Sequence, residues 1–276
     1  MVFSIRMALG ILGLTSVPVR FASATEDVER QIQEQFRLGE TEWKRSCAKP
    51  SEDGACVRVS PGAASKARCG SGTSPEVTVI DRDKKRAATA KQRFESALKL
   101  SRDAQPNYGP AAATAAAGAG FYRTEALYEN VLRTPAPADL GGLSAYLEEK
   151  TKAISSARDG YLEVFKMRRA PWNVAAAARI GQGYEDFAQQ LRTMAVPKDL
   201  ASKADARKVY CTTLEEKAEP IAAKAIEAFE MCIKTANEND GKGSWSELCE
   251  RELGRLKSAR SGAAAGPPPA APPAGK

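Results

Sequence analysis

The chain has 276 residues, of which 43% are hydrophobic, 7% aromatic and 27% charged, and its formal net charge is +7. This length allows one or two domains with a buried core, and abundant alanine with few aromatic residues favours helices over sheets. The sequence contains no histidine. That excludes catalytic arrangements that need an imidazole, such as Ser-His-Asp and Cys-His, and removes the usual ligand of catalytic zinc.

The amino terminus has the layout of a secretory signal peptide. Arg6 precedes an apolar run over residues 7–19, and Ala22-Ser23-Ala24 offers a small-residue cleavage site. Cleavage there starts the mature chain at Thr25 and removes Arg6 and Arg20, which changes the formal charge from +7 to +5. The apolar run is shorter than the about 20 residues that a membrane-spanning helix needs. Residues 1–24 therefore predict an exported protein, periplasmic or secreted, with no transmembrane segment after cleavage.

Residues 25–82 are predicted to form an N-terminal helix followed by a loop region pinned by disulfides. Val28, Ile32 and Phe36 recur at helical spacing within residues 25–45. Residues 46–75 are rich in glycine, serine and proline and hold three cysteines. The alternation in "EVTVID", residues 76–81, predicts either a very short strand or the entry to the next helix.

Residues 83–258 are predicted to form a helical domain. Its helices are separated by "DAQPNYGP", "RTPAPADLGG", "RRAPW", "MAVPKD" and "ENDGKGS". The alanine-rich stretch over residues 111–123 lacks the lysine and serine of a phosphate loop and is interpreted as a thin helix that packs tightly. Trp172 and Trp245 each precede a predicted helix, and each is expected to anchor the chain in the core where that helix begins. Residues 259–276, rich in alanine and proline, are predicted to be a disordered tail.

The cysteines fit an exported chain, because an even number in an oxidising compartment indicates disulfides first. Cys232 and Cys249 are centred on position 240.5, the middle of the turn "NENDGKGS", so they should face each other in a helical hairpin and form a disulfide. Three others, Cys47, Cys56 and Cys69, share one loop-rich segment, so one of them must pair elsewhere or stay free. Cys211 is the remaining candidate. The cysteines lack metal-site spacing, and neither a metal nor a cofactor is predicted.

An aromatic residue flanked by small residues recurs with a period close to 34 residues. The aromatic residues are Phe94, Tyr128, Tyr161 and Phe229, separated by 34, 33 and 68 residues. Their flanking small or β-branched residues are Ala90, Ala97, Thr124, Val131, Ala157, Val164, Ala225 and Cys232. A fixed period of this length indicates tandem helical hairpins. An irregular helical bundle with no repeat ancestry is the alternative.

This pattern resembles the second helix of the tetratricopeptide repeat (TPR). Ile180-Gly181 followed by Tyr184 is similar to the Leu-Gly-x-x-Tyr core of that family's first helix, although the family's tryptophan position is absent and this helix runs past Gln190. The resemblance covers roughly residues 86–256 and implies an all-α fold of stacked helical hairpins, either an α-solenoid or an irregular bundle, as in exported bacterial proteins. In such a helix Gly181 is expected to let a neighbouring backbone approach closely.

The same resemblance implies a non-enzymatic scaffold that holds a peptide or protein partner on a concave face. The alternative is a basic envelope protein that binds a polyanionic cell-surface polymer, with the dense basic run "DRDKKRAATAKQR", residues 81–93, as a candidate contact. That run lacks the interleaved aromatic residues of single-strand nucleic-acid binding, and no nucleic-acid partner is predicted. The carboxylate pairs Glu148-Glu149 and Glu215-Glu216 lie on polar helix faces, so no catalytic residue is predicted. Tyrosines and arginines clustered on one concave surface would favour the scaffold.

Overall fold

The computed structural model describes residues 19–50, 54–60, 69, 76–134, 137, 140–239 and 241–264. This part of the chain is a stack of helices with one two-stranded sheet, which confirms the predicted all-helical class. The helices are α1 (Val19–Ser46), α2 (Lys84–Asp103), α3 (Pro110–Arg133), α4 (Leu143–Lys166), α5 (Ala170–Thr193), α6 (Lys198–Ala201), α7 (Ala204–Glu238) and α8 (Ser244–Ala264). Residues 1–18 of the predicted signal peptide and residues 265–276 of the predicted tail lie outside the described residues.

All five predicted breaks coincide with helix ends, whereas the short break between α6 and α7 at residues 202–203 was not predicted. Two further differences lie near the ends of the chain. Helix α1 is continuous from Val19, so the predicted cleavage site Ala22-Ser23-Ala24 falls within it. Helix α8 continues to Ala264, past residue 259, where the disordered tail was predicted to begin. Helix α7 is the longest, at 35 residues, and runs through Pro220.

The small sheet joins two segments of the loop region. Strand β1 (Val57–Ser60) pairs antiparallel with β2 (Glu76–Val79), with Val57 opposite Val79. Strand β2 corresponds to one of the two alternatives predicted for residues 76–81, the very short strand and not the entry to the next helix. Strand β1 was not predicted, because its four residues follow a glycine-containing segment and show too short an alternation to recognise.

The helices form antiparallel hairpins that stack in order. The hairpins are α1–α2, α3–α4 and α5–α7, and α8 packs against both α5 and α7. The first helices also contact one another in series, α1 with α3, α3 with α5 and α5 with α8, while α2 contacts α3 and α4 contacts α5. We call α1, α3, α5 and α8 the first layer and α2, α4 and α7 the second layer. The predicted stack of helical hairpins is therefore present.

The two central helices, α3 and α5, are buried on all sides over their first halves. Between Ala112 and Phe121, every residue of α3 except Thr114 is buried. Residues 174–179 of α5 are all buried as well. Because most of these side chains are alanine or glycine, neighbouring helices can pack against each of these two from several directions. The alanine-rich stretch is thus a thin, tightly packed helix, as the sequence indicated.

Three disulfides join the six cysteines. Cys47 bonds Cys56, Cys69 bonds Cys211, and Cys232 bonds Cys249, with Cα–Cα distances of 5.7, 5.5 and 6.4 Å. The last is the pair that the symmetry of the α7–α8 hairpin predicted. The second closes a loop of 142 residues between the segment before α2 and the amino-terminal half of α7, so it ties the N-terminal region to the third hairpin.

Gly181 allows a neighbouring helix to approach closely, as predicted. The group that approaches it is a side chain, however, and not the neighbouring backbone. A Cβ added at Gly181 would lie 2.6 Å from the Phe229 ring of α7. Phe229 is fully buried, so its ring can give way only by displacing packed neighbours. The close contact that the sequence predicted therefore belongs to the α5–α7 hairpin, and it forms between two residues of the predicted repeat pattern.

Gly181→Ala should destabilise the protein by about 1–3 kcal/mol, because the added methyl group overpacks a closed contact. The matched control is Gly254→Ala in α8, where a Cβ meets nothing within 4 Å and where the gain in helix propensity should stabilise by up to about 1 kcal/mol. Urea unfolding monitored by circular dichroism measures both variants. Equal effects of the two substitutions would contradict the packing assignment.

Candidate partner-binding face

The residues predicted to pack between repeats are distributed through the core and do not converge on one site. Buried among them are Ala90, Phe94, Ala97, Tyr128, Ala157, Tyr161, Gly181, Ala225 and Phe229, while Ile180 and Tyr184 are half-buried. All seven tyrosines of the chain lie in described residues, and none of them is exposed. The tyrosines therefore do not form the exposed surface cluster that would mark a peptide-binding scaffold, and a candidate site has to be sought among partly exposed aromatic residues of all types.

Two aromatic rings from different hairpins meet above α3. Phe36 of α1 and Trp172 of α5 contact each other edge to face, with ring centroids 5.6 Å apart. Gly118 of α3 lies directly below them, and a Cβ at this position would come within 2.6 Å of the Phe36 ring and 2.7 Å of the Trp172 ring. Because Gly118 has no side chain, the rings of the first and third hairpins can touch across the second.

Further aromatic rings extend this contact along the first layer. The ring centroid of Tyr122 on α3 lies 6.2 Å from that of Phe36 and 5.7 Å from that of Trp172. The Phe121 ring lies between two tryptophans, with its centroid 5.4 Å from that of Trp172 and 5.9 Å from that of Trp245 on α8. Phe121 is buried, whereas Phe36, Tyr122, Trp172 and Trp245 are half-buried. We call these four half-buried residues the aromatic row. It takes one side chain from each helix of the first layer.

A buried ion pair lies next to the aromatic row and joins α3 to α5. Arg179 donates to both carboxylate oxygens of Glu125, at 2.9 and 2.8 Å, and Tyr161 of α4 donates to the same carboxylate at 2.5 Å. Arg179 is completely buried and Glu125 is 2% exposed. The guanidinium carbon of Arg179 lies 4.6 Å from the ring centre of Tyr128 and 4.8 Å from that of Trp245. Four helices of the described structure thus meet at one arginine.

A second buried pair joins α4 to α5. The ammonium group of Lys150 lies 2.9 Å from Asp186 and also donates to the Val131 carbonyl at the end of α3. Gln190 donates to Asp186 at 2.9 Å and accepts a 2.6 Å hydrogen bond from Tyr146. Burial lowers the pKa of Lys150 and raises that of Asp186, while their mutual attraction opposes both changes. Lys150 therefore holds the end of α3 against α4 of its own hairpin and against α5 of the third hairpin.

A third ion pair fixes the N-terminal segment on α3. Arg82 donates to Glu129 through Nε at 2.9 Å, and the Cys56 backbone amide donates to the same carboxylate at 2.7 Å. Arg82 also donates to the Trp43 carbonyl at 2.9 Å, and its guanidinium lies 3.7 Å from the ring centre of Trp43. Trp43 is therefore a core residue, 5% exposed, and the Arg82 guanidinium covers its ring.

Sequence reasoning missed these three ion pairs and the aromatic row. Charged residues on a helix are solvated far more often than buried, so Glu125, Lys150 and Arg179 carried no signal of their own. One clue was available for Arg179, because it stands inside the apolar run "VAAAARIG". Trp172 and Trp245 were predicted to stand just before helices, but they lie within the first turns of α5 and α8, and they also contribute to the aromatic row.

None of the protein-family models, curated proteins or solved structures compared with this chain matches it. The resemblance to the tetratricopeptide repeat therefore stays a prediction, although the stacked hairpins that it implies are present. Within the described residues, no group of His, Cys, Asp and Glu side chains has the arrangement of a metal site, and no helix is both long and apolar enough to cross a bilayer.

Arg179→Met should destabilise the protein by about 3–5 kcal/mol, because it leaves the Glu125 carboxylate buried without its bidentate partner. The double variant Glu125→Gln/Arg179→Met should lose less than the sum of the two single variants, as coupled neighbours do. Arg192→Met is the control: its pairs with Glu215 and Glu219 are partly exposed, so it should cost no more than about 1 kcal/mol. Urea unfolding of the four variants measures their free energies of unfolding. The coupling would be contradicted if the loss in the double variant equalled the sum of the losses in the two single variants.

Stability should fall as the pH rises above about 10, because buried tyrosines resist ionisation in the folded state. Burial and neighbouring carboxylates raise the pKa of Tyr122, Tyr146 and Tyr161 above the ordinary value of 10.0. The unfolded chain then releases protons that the folded chain keeps, so alkaline pH favours unfolding.

Phenolate absorbance during an alkaline titration, with urea unfolding at several pH values, tests this dependence. The three tyrosines should ionise only as the protein unfolds. Tyr146→Phe should make the loss of stability above about pH 10 less steep. Ionisation of all tyrosines without unfolding would show that these side chains are accessible to solvent.

Proposed function

We propose that this protein is an exported, non-enzymatic, tetratricopeptide-like scaffold whose aromatic row binds a peptide or protein partner in the cell envelope. The observation that carries the proposal is the position of Phe36, Tyr122, Trp172 and Trp245, one on each helix of the first layer and each half-buried. Aromatic side chains are enriched in protein interfaces and supply many of the residues that dominate binding energy.

The buried ion pairs support this proposal because they hold the aromatic row in place. The Glu125–Arg179 pair connects α3 to α5, and Trp245 of the row lies against Arg179. A surface built on helices that are locked together loses little conformational freedom on binding, and this improves affinity. The row is therefore a preorganised surface and not a set of independent side chains.

Export is supported by two independent features. The first is the signal-like layout of residues 1–24, and the second is the pairing of all six cysteines in three disulfides. Structural disulfides persist in oxidising compartments and are rare in the cytosol. The proposal places the protein in the periplasm or outside the cell, where the partner must also be found.

Capture from envelope extracts of the source organism tests the scaffold function. The full-length mature protein is compared with Phe36→Ala and Trp172→Ala, and captured proteins are identified by mass spectrometry and verified by reciprocal capture. Each substitution should weaken partner binding by about tenfold or more, as loss of an interface hot spot does. The binding should persist at high salt, because apolar contacts are not screened by ions.

Leu162→Ala and Met231→Ala are the matched controls, because these exposed apolar side chains lie on the second layer. Both controls should bind the partner like the unsubstituted protein. Acrylamide quenching of tryptophan fluorescence gives a readout on the unsubstituted chain: partner binding should shield the half-buried Trp172 and Trp245. Equal capture by all variants, together with unchanged quenching, would overturn the proposal.

A further inference from the structure

The segment that follows α8 has the composition of a ligand for an aromatic surface. It reads "GPPPAAPP" over residues 266–273, and we call these residues the proline segment. They lie outside the described part of the chain. Prolines in series favour the polyproline II helix, which has no internal hydrogen bonds, and proline-rich segments bind grooves lined by aromatic side chains. The described structure has an aromatic surface of this kind in the aromatic row.

The aromatic row offers hydrogen-bond donors as well as apolar rings. The backbone carbonyls of a polyproline II helix are free to accept hydrogen bonds. The indole N–H groups of Trp172 and Trp245 have no hydrogen-bond partner among the described residues, and they do not belong to the buried nitrogens that lack one. Both are therefore open to solvent. The Tyr122 hydroxyl, in contrast, donates to Glu40 at 3.0 Å, so the two tryptophans are the donors available to a ligand.

The spacing of the two tryptophans is compatible with the repeat of a polyproline II helix. Their ring centroids lie 5.4 and 5.9 Å from that of Phe121 between them, so their separation is no more than these two distances together. One turn of polyproline II has three residues and is about 9 Å long. Residues three apart, such as Pro269 and Pro272, share one side of that helix and can contact both tryptophans at once.

The proline segment of the same molecule is too short to cover the aromatic row. Trp245 is the second residue of α8, which ends at Ala264, so these two residues are about 28 Å apart at the helical rise of 1.5 Å per residue. A polyproline II chain that turned back at Ala264 would need about nine residues to cover this distance, at 3.1 Å each. Only Pro273 would then reach the near end of the row.

We propose that the aromatic row binds the proline segment of a second copy of this chain. This inference rests on the proposed function, because it uses the same surface, and it adds the chemistry of the occupant. A contact between one short segment and a row of four side chains is smaller than a standard protein interface, so the self-association should be weak and depend on concentration.

A synthetic peptide with the sequence of residues 261–276 tests this contact. It is titrated into the full-length mature protein that carries Pro268→Ala/Pro269→Ala/Pro272→Ala, which we call the tail variant, while tryptophan fluorescence is recorded. The peptide should bind and shield the tryptophans from acrylamide, whereas a peptide with the same three alanines should bind at least about tenfold more weakly. Because both peptides meet the same protein, this comparison does not depend on the folding of a variant.

Substitutions in the folded part of the chain locate the peptide. Trp172→Ala, added to the tail variant, should weaken peptide binding by about tenfold, and Leu162→Ala on the second layer is the matched control with unchanged binding. No binding of the peptide, or equal binding of the two peptides, would overturn this inference. If capture of envelope partners still depended on Phe36 and Trp172 in that case, the proposed function would stand without it.

Sedimentation velocity distinguishes a contact between two copies from a contact within one. The unsubstituted chain should self-associate as its concentration rises, whereas the tail variant and Trp172→Ala should each stay monomeric. A mixture of these two variants should associate again, because one supplies an intact aromatic row and the other an intact proline segment. Peptide binding without self-association of the unsubstituted chain, or a mixture that stays monomeric, would overturn the assignment to a second copy.

Discussion

Arg179 is the group on which the interior of the helix stack depends. Its guanidinium is completely buried, and a buried charge is tolerated only when a partner and hydrogen bonds compensate its lost hydration. Glu125 of α3 provides the carboxylate, while Tyr128 and Trp245 cover the guanidinium from α3 and α8. Any movement of one of these helices would expose or separate the charges. The ion pair therefore fixes the relative position of the second hairpin, the third hairpin and the final helix.

The thin central helices make this arrangement geometrically attainable. Alanine and glycine on α3 and α5 let neighbouring helices pack closely, and larger side chains then fill the spaces that remain. Phe94 packs against Gly39 in the first hairpin in the same way as Phe229 packs against Gly181 in the third, because an added Cβ at either glycine would lie 2.6 Å from the ring. Phe94 and Phe229 thus fit into positions where the first layer has no side chain. Tyr128 departs from the predicted pattern, because it lies on α3, a first helix of its hairpin and not a second one.

The candidate surface uses apolar contact rather than charge. The aromatic row is half-buried and supported by ion pairs below it, so its affinity would come from shape and desolvation. Phe36 places the α1–α2 hairpin in this surface, and the packing of that hairpin depends on buried contacts such as Gly39 with Phe94.

The sequence alone was enough for the helical class, the five breaks between helices and the Cys232–Cys249 disulfide, and it offered the short strand β2 as one of two alternatives. These features depend on local patterns: turn residues end helices, alanine favours them, and positions equidistant from a turn face each other in a hairpin. Only the tertiary structure decided which charges are buried, which aromatic rings meet and which partner Cys69 finds. Glu125 and Arg179 are 54 residues apart, and Cys69 and Cys211 are 142 residues apart. Such contacts form where several helices meet, and no local pattern distinguishes a charge at that place from one in water.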